Sequence, residues 1–189
     1  MATVIVPQRQ TEKKISIIVL TAMIAFVLVG FGSTYYFNPA NALTFRTLTH
    51  VHAFTMLAWV ILLVVQTTLV RTRNVKLHMK LGIGGVVLVL VMVPVGLIVA
   101  VQAAKYGSPS FPPVVPPLAF MAVPFLTMAM FAILFAAAIL RRRVPADHRR
   151  LMLLTAVVFM GPALARIPSP ALQSLGPLLF IGFPVLTAI

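Results

Sequence analysis

The chain has 189 residues, 61% of them hydrophobic and 9% charged, with a formal net charge of +13 and no cysteine. A soluble domain is nearer half apolar and a quarter charged, so a water-facing globular surface is excluded, as are disulfides, thiolate metal sites and cysteine nucleophiles. The acids are Glu12 and Asp147 alone; neither lies inside an apolar block, which removes paired-carboxylate catalysis, carboxylate-bridged metals and a carboxylate proton relay across a bilayer.

A helix crosses the hydrocarbon layer in about 20 apolar residues, and six such spans are predicted in chain order. The first, 15–37, is too long for a signal-peptide core and is read as retained. The second and third cover 48–70 and 81–102. A Pro-rich stretch follows, "AAKYGSPSFPPVVPP" at 103–117, and predicts a stiff, non-helical cap, because proline fixes φ and donates no backbone hydrogen bond. The fourth, fifth and sixth cover 118–140, 151–167 and 171–189. Pro94 predicts a kink in the third span. Pro162, Pro168, Pro170, Pro177 and Pro184 crowd the last two, which must then pack against protein so that freed carbonyls are satisfied. The sequence stops at Ile189 inside an apolar run without a closing basic residue, and the natural chain is expected to continue. The fold class is therefore all-α, a polytopic transmembrane helix bundle forming a single membrane domain over 1–189, with no soluble domain.

Orientation follows from the cations. With the N-terminus cytoplasmic, twelve of the fifteen Lys and Arg residues lie inside, leaving Arg46, Lys105 and Arg166 outside. This bias obeys the positive-inside rule. Because the cations sit at the ends of apolar blocks, they point to anionic lipid, with Arg71, Arg73, Lys80, Arg141, Arg149, Arg150 and Arg166 as lipid or anion contacts. Nucleic acid is rejected as a partner.

Two stretches echo each other. "RTRNVKLHMKLG" runs from Arg71 to Gly82, and "RRRVPADHRRLM" from Arg141 to Met152. An offset of 70 residues aligns Arg71 with Arg141, Arg73 with Arg143, His78 with His148, Lys80 with Arg150 and Leu81 with Leu151. A tandem two-helix repeat is expected, with units of about 48–102 and 118–167 flanked by spans 15–37 and 171–189. An even number of spans inserts both copies the same way up, which brings His78 and His148 to one level at the starts of equivalent helices. Two independent basic loops would share arginines but would not explain the matched histidine.

The four histidines are His50, His52, His78 and His148. At 100° per residue, His52, Met56, Trp59 and Gln66 fall within ~40° of one helix face, so that face is expected to look into the bundle or at a partner. His50 falls nearly opposite, unless the helix starts after it with Thr47 or Thr49 as cap. His148 and Arg166 share a face ~27 Å apart, with Met152, Thr155 and Phe159 on or near it. His78, Gly82, Gly85 and Gly96 share another, where glycines admit close approach of a flat group or a helix. Three readings of the histidines stay open: axial imidazoles for a b-type haem or another metal, recognition of a lipid or quinone head group, and hydrogen bonding that merely ties down the loops. Asp147 sits where an N-cap belongs, or pairs with a loop arginine.

"THVHAFTMLAW", "VVQTTLVRTRNVKLHMKLG", "LRRRVPADHRRLMLL" and "GPALAR" together resemble a group of small bacterial polytopic membrane proteins with paired His/Arg loop motifs. The resemblance covers about 50–166. The chain is also distantly similar to membrane proteins that assemble haem–copper oxidases and, in architecture, to b-type transmembrane cytochromes; it departs from the cytochromes in having Phe120 and Ala122 where the first unit has His50 and His52. The likeness implies a bacterial inner-membrane location near respiratory or photosynthetic electron transfer. The expected function is a non-catalytic accessory or assembly subunit of an electron-transfer complex, partnered by membrane lipids and by a larger complex or further copies of itself. The alternative is a b-type haem or quinone-linked electron-transfer protein using His78 and His148, with His52 or His50.

Overall fold

The computed structural model describes residues 8–42, 44–107, 116–164, 166, 167 and 169, and their regular structure is helical throughout. Helix α1 spans Gln8–Phe31 and widens at its end into a π-helical turn, Gly32–Tyr36. A short turn of helix, α2 (Pro39–Ala42), leads to α3 (Thr47–Arg71) and α4 (Val75–Tyr106). Beyond the 108–115 stretch come α5 (Pro117–Phe120), α6 (Ala122–Leu140), α7 (Pro145–Val157) and α8 (Met160–Leu164).

Among the described residues four helical stretches are long and apolar enough to cross a membrane: Ile18–Tyr36, Thr47–Arg71, Val75–Tyr106 and Pro117–Leu140. Their outer faces carry Ile83, Leu90, Leu126 and Ile133, each with about two thirds of its surface exposed. Apolar side chains in that number do not face water. The bundle is that of a polytopic membrane protein, with lipid as solvent for its exterior.

Four of the six expected spans thus have matching helices. The fifth is divided: α7 ends at Val157 and α8 begins at Met160. Pro162 supplies the reason, since it has no N–H for the carbonyl of Val158 and its ring crowds that carbonyl. The sixth, 171–189, lies outside the described residues. The third span is longer than expected at both ends. Helix α4 begins at Val75, continues through Pro94 without interruption and runs to Tyr106, so 103–106 is helical rather than part of a cap; the remainder of that expected cap falls largely on 108–115, outside the described residues. At 32 residues α4 is ~48 Å long, well over the ~30 Å hydrocarbon layer, so its polar ends stand in the headgroup zones. Gly107, at φ 80°, ends it.

The turn between α3 and α4 is closed by the backbone. Arg73 adopts φ 62°; its N–H donates to the Val70 carbonyl, and the Asn74 N–H to that of Leu69. This is a Schellman closure with an arginine where glycine is usual. Asn74 then caps the next helix, its side chain accepting from the Leu77 N–H. The α6–α7 turn closes differently, by Arg142 N–H to Ile139 and Val144 N–H to Arg141, without a left-handed residue. The motif therefore recurs in sequence while the two turns differ in geometry.

The centre of the bundle is packed around Trp59, which is buried together with Phe131, Leu20, Met92, Val158 and Thr155. The indole meets Phe131 and Phe135 edge-on, at centroid separations of 5.4 and 5.6 Å, the arrangement that suits their quadrupoles. Its Nε1–H donates to Thr155 Oγ1 at 3.2 Å, and Thr155 donates in turn to the Met152 carbonyl at 2.6 Å. This pairing joins α3 to α7 in the driest part of the fold.

Candidate functional site

The two basic turns lie at one end of the bundle. His78 and His148 each occupy the fourth residue of their helix, counting from Val75 and Pro145. Each backbone N–H donates to the residue four before it, His78 to Asn74 at 3.1 Å and His148 to Val144 at 3.0 Å. Equivalent positions on α4 and α7 bring the rings together, with centroids 6.5 Å apart and planes at 86°.

His148 Nδ1 lies 2.8 Å from the Ala138 carbonyl. A carbonyl can only accept, so Nδ1 carries the proton and Nε2 of the neutral ring keeps its lone pair. That is the tautomer in which a backbone carbonyl orients an imidazole whose other nitrogen is to bind something. His78 Nδ1 is buried without a hydrogen-bond partner. Gln66 Oε1 is likewise buried and unpartnered. A β-carbon at position 82 would lie 3.8 Å from Gln66 Nε2, an ordinary contact distance, which places the amide beside the start of α4. The site is thus two imidazoles and a carboxamide, gathered from α3, α4 and α7.

Cations surround it. Arg71, Arg73, Lys76, Lys80, Arg141 and Arg150 are exposed and Arg149 is half-buried. Asp147 is the third residue of α7 rather than its N-cap, which is Val144; it pairs with Arg141 at 3.1 Å, the second of the two roles expected for it. Arg166 turns inward at the far end of the bundle. It donates to the Pro162 carbonyl at 2.7 Å, and its guanidinium lies 4.7 Å from the Phe31 ring centroid.

The other two histidines lie at the opposite end and are not joined to this pair. Helix α3 starts at Thr47, before His50, so the expected opposition of His50 and His52 holds. His50 faces the π-helical turn that follows α1, where its Nδ1 is 2.7 Å from the Tyr35 hydroxyl. His52 Nδ1 is buried without a partner. The stripe of His52, Met56, Trp59 and Gln66 does face inward, as Trp59 and the buried polar atoms of His52 and Gln66 demonstrate. Sequence reasoning missed Tyr35 and the Ala138 carbonyl. A tyrosine at a span end is an ordinary interfacial residue, and no sequence signal marks a backbone acceptor.

A pair of imidazoles supplies two ligands. Among the described residues no group of three or more His, Cys, Asp or Glu side chains could hold a metal ion, and a bare ion needs about four ligands. Two imidazoles on facing helices can complete the coordination only of a group that brings its other donors with it. Two metal–nitrogen bonds of about 2.0–2.1 Å, with each ring centroid roughly 1.1 Å further out, separate axial rings by roughly 6.3 Å, against 6.5 Å here.

The chain matches no family model, no curated protein and no solved structure. What fold and site define together is a class: a helical membrane protein with paired histidines at the basic end of its bundle.

Proposed function

We propose that this chain is a bacterial inner-membrane electron-transfer protein that holds a b-type haem between His78 and His148, with the basic end of the bundle cytoplasmic. The observation that carries the reading is the imidazole pair itself: the ring separation, together with the Ala138 carbonyl that fixes the His148 tautomer. When bound, such a group supplies a one-electron couple. The residues supply the rest. His78 and His148 come from two helices and would hold it at the headgroup level, and Lys76 and Lys80 offer cations to its carboxylates. The twelve-to-three distribution of Lys and Arg supports the orientation.

The test is a visible spectrum of the protein purified in mild detergent. A Soret band that shifts on dithionite reduction is expected, abolished by His78→Ala and by His148→Ala and retained in His52→Ala. A colourless protein, or a band that survives both inner substitutions, overturns the reading. A second reading is favoured by the depth of the pair. Both rings stand in first helical turns among Lys76, Lys80, Arg149 and Arg150, where imidazoles also tie loops together. In that case the chain is an accessory or assembly subunit of an electron-transfer complex, and a colourless protein that co-purifies with a larger membrane complex supports it.

A further inference from the structure

Beside the imidazole pair, but facing outward, an open groove separates the last turn of α6 from the first turns of α7. It is lined by Ala137, Arg141, Asp147, Arg150 and Leu151. We infer that this groove is a binding site for an anionic phospholipid, with the headgroup phosphate between Arg150 and Arg141 and an acyl chain along Ala137 and Leu151.

The chemistry of the lining selects the occupant. From Arg141 to Arg150 the chain carries five arginines and one acid, a local surplus of four positive charges (5 − 1). Asp147 engages one nitrogen of Arg141, and Arg141 keeps 65% of its side chain exposed, leaving most of its five donors available. Arg150 is exposed and makes no hydrogen bond or ion pair among the described residues. Guanidinium donors match phosphate oxygens in pairs. The groove also starts where the α6 span ends, at Leu140, and its other wall is apolar. A soluble anion would use only the rim, whereas an amphiphile with an anionic head uses rim and wall together. Bound there, the lipid clamps the start of α7 to α6 and so holds His148 against the Ala138 carbonyl.

The experiment reconstitutes the full chain into vesicles of equal parts phosphatidylglycerol and phosphatidylcholine, re-extracts it in mild detergent, and measures co-extracted lipid by mass spectrometry. Wild type is expected to retain phosphatidylglycerol in clear excess. Arg150→Gln should lower that retention about five-fold, the factor expected of one interfacial cation. Arg150→Lys should retain most of it, and Lys105→Gln at the opposite end should change nothing. Equal retention of the two lipids, or wild-type retention in Arg150→Gln, overturns the inference. So does displacement of the lipid by millimolar inorganic phosphate, which would identify a soluble-anion site. Size-exclusion profiles of each variant confirm that exposed Arg150 is dispensable for folding.

Discussion

Three glycines of this bundle would meet different neighbours on gaining a β-carbon, and replacing each with alanine separates backbone contact from side-chain contact. At Gly84 a β-carbon meets nothing within 4 Å, so only helix propensity acts, and Gly84→Ala should stabilise by about 0.5–1 kcal/mol. At Gly96 it would lie 2.8 Å from the Met128 sulfur. A thioether on a flexible stem moves aside; repacking of ~1–3 kcal/mol offset by the same propensity gain leaves a net loss of about 0–2 kcal/mol. At Gly30 the new atom would fall on the backbone carbonyl of Ala163 in α8. A carbonyl has no rotamer to change, so α1 and α8 must part by roughly 1 Å or more, and contact along that seam weakens over its whole length. Gly30→Ala should therefore cost ~3 kcal/mol or more, at or above the top of the usual overpacking range. Fluorescence-detected size exclusion after a temperature series in detergent reads all three on one scale. The expected order of melting temperature is Gly84→Ala above wild type, Gly96→Ala near or below it, and Gly30→Ala far below. A Gly30→Ala protein melting alongside Gly84→Ala would refute the close approach of α1 and α8, and with it the placement of the segment after Pro162.

The bond between Trp59 and Thr155 can be measured by a double-mutant cycle of Trp59→Phe and Thr155→Val; the coupling energy should be about 0.5–1.5 kcal/mol, and zero coupling would mean that the two side chains do not meet. Arg73 holds φ 62° at a position that favours glycine, so Arg73→Gly should raise stability by about 1 kcal/mol, and a destabilised variant would contradict the left-handed closure. Because the chain has no cysteine, single replacements report topology directly. On intact cells a membrane-impermeant maleimide should label Lys105→Cys and leave Thr72→Cys and Arg142→Cys untouched until the cells are opened; labelling of the two turns from outside would reverse the orientation.

What the sequence made legible depends on whether the signal was local. The span 48–70 lies one residue inside Thr47–Arg71 at each end, because basic residues and an apolar block bound it sharply. The common level of His78 and His148 was legible because each stands in the first turn of a helix that follows a basic turn. The fifth span was drawn as one helix with Pro162 expected to free a carbonyl, whereas the loss of that bond divides it into α7 and α8. The third was drawn short because Lys76, Lys80 and Lys105 read as loop residues, although lysine is a good helix former and long cationic side chains reach the headgroups from helix ends. Thr155 was placed near the His148 face, yet its partner Trp59 is 96 residues away in the chain. Neither side chain announces such a pairing, nor does a sequence show that His148 will find the Ala138 carbonyl.

The distribution of polar atoms with depth bears on which functions the bundle can perform. His52, Trp59 and Gln66 recur at seven-residue intervals on α3, so they lie ~10.5 Å apart along one face. At the middle level every polar atom of the pair is engaged: the indole donates to Thr155, and Thr155 donates to Met152. Among the described residues, the buried polar side-chain atoms without a partner, His52 Nδ1 and Gln102 Oε1 towards one end and Gln66 Oε1 and His78 Nδ1 towards the other, flank that level. Lipid imposes this ordering, since an unmatched polar group is tolerable only where water or a ligand can reach it. A path for ions or polar solutes requires accessible polar groups at the middle level. Here that level is filled by Trp59, Phe131, Met92 and Val158, all essentially without exposure. The arrangement is that of two polar sites separated by a dry aromatic plug.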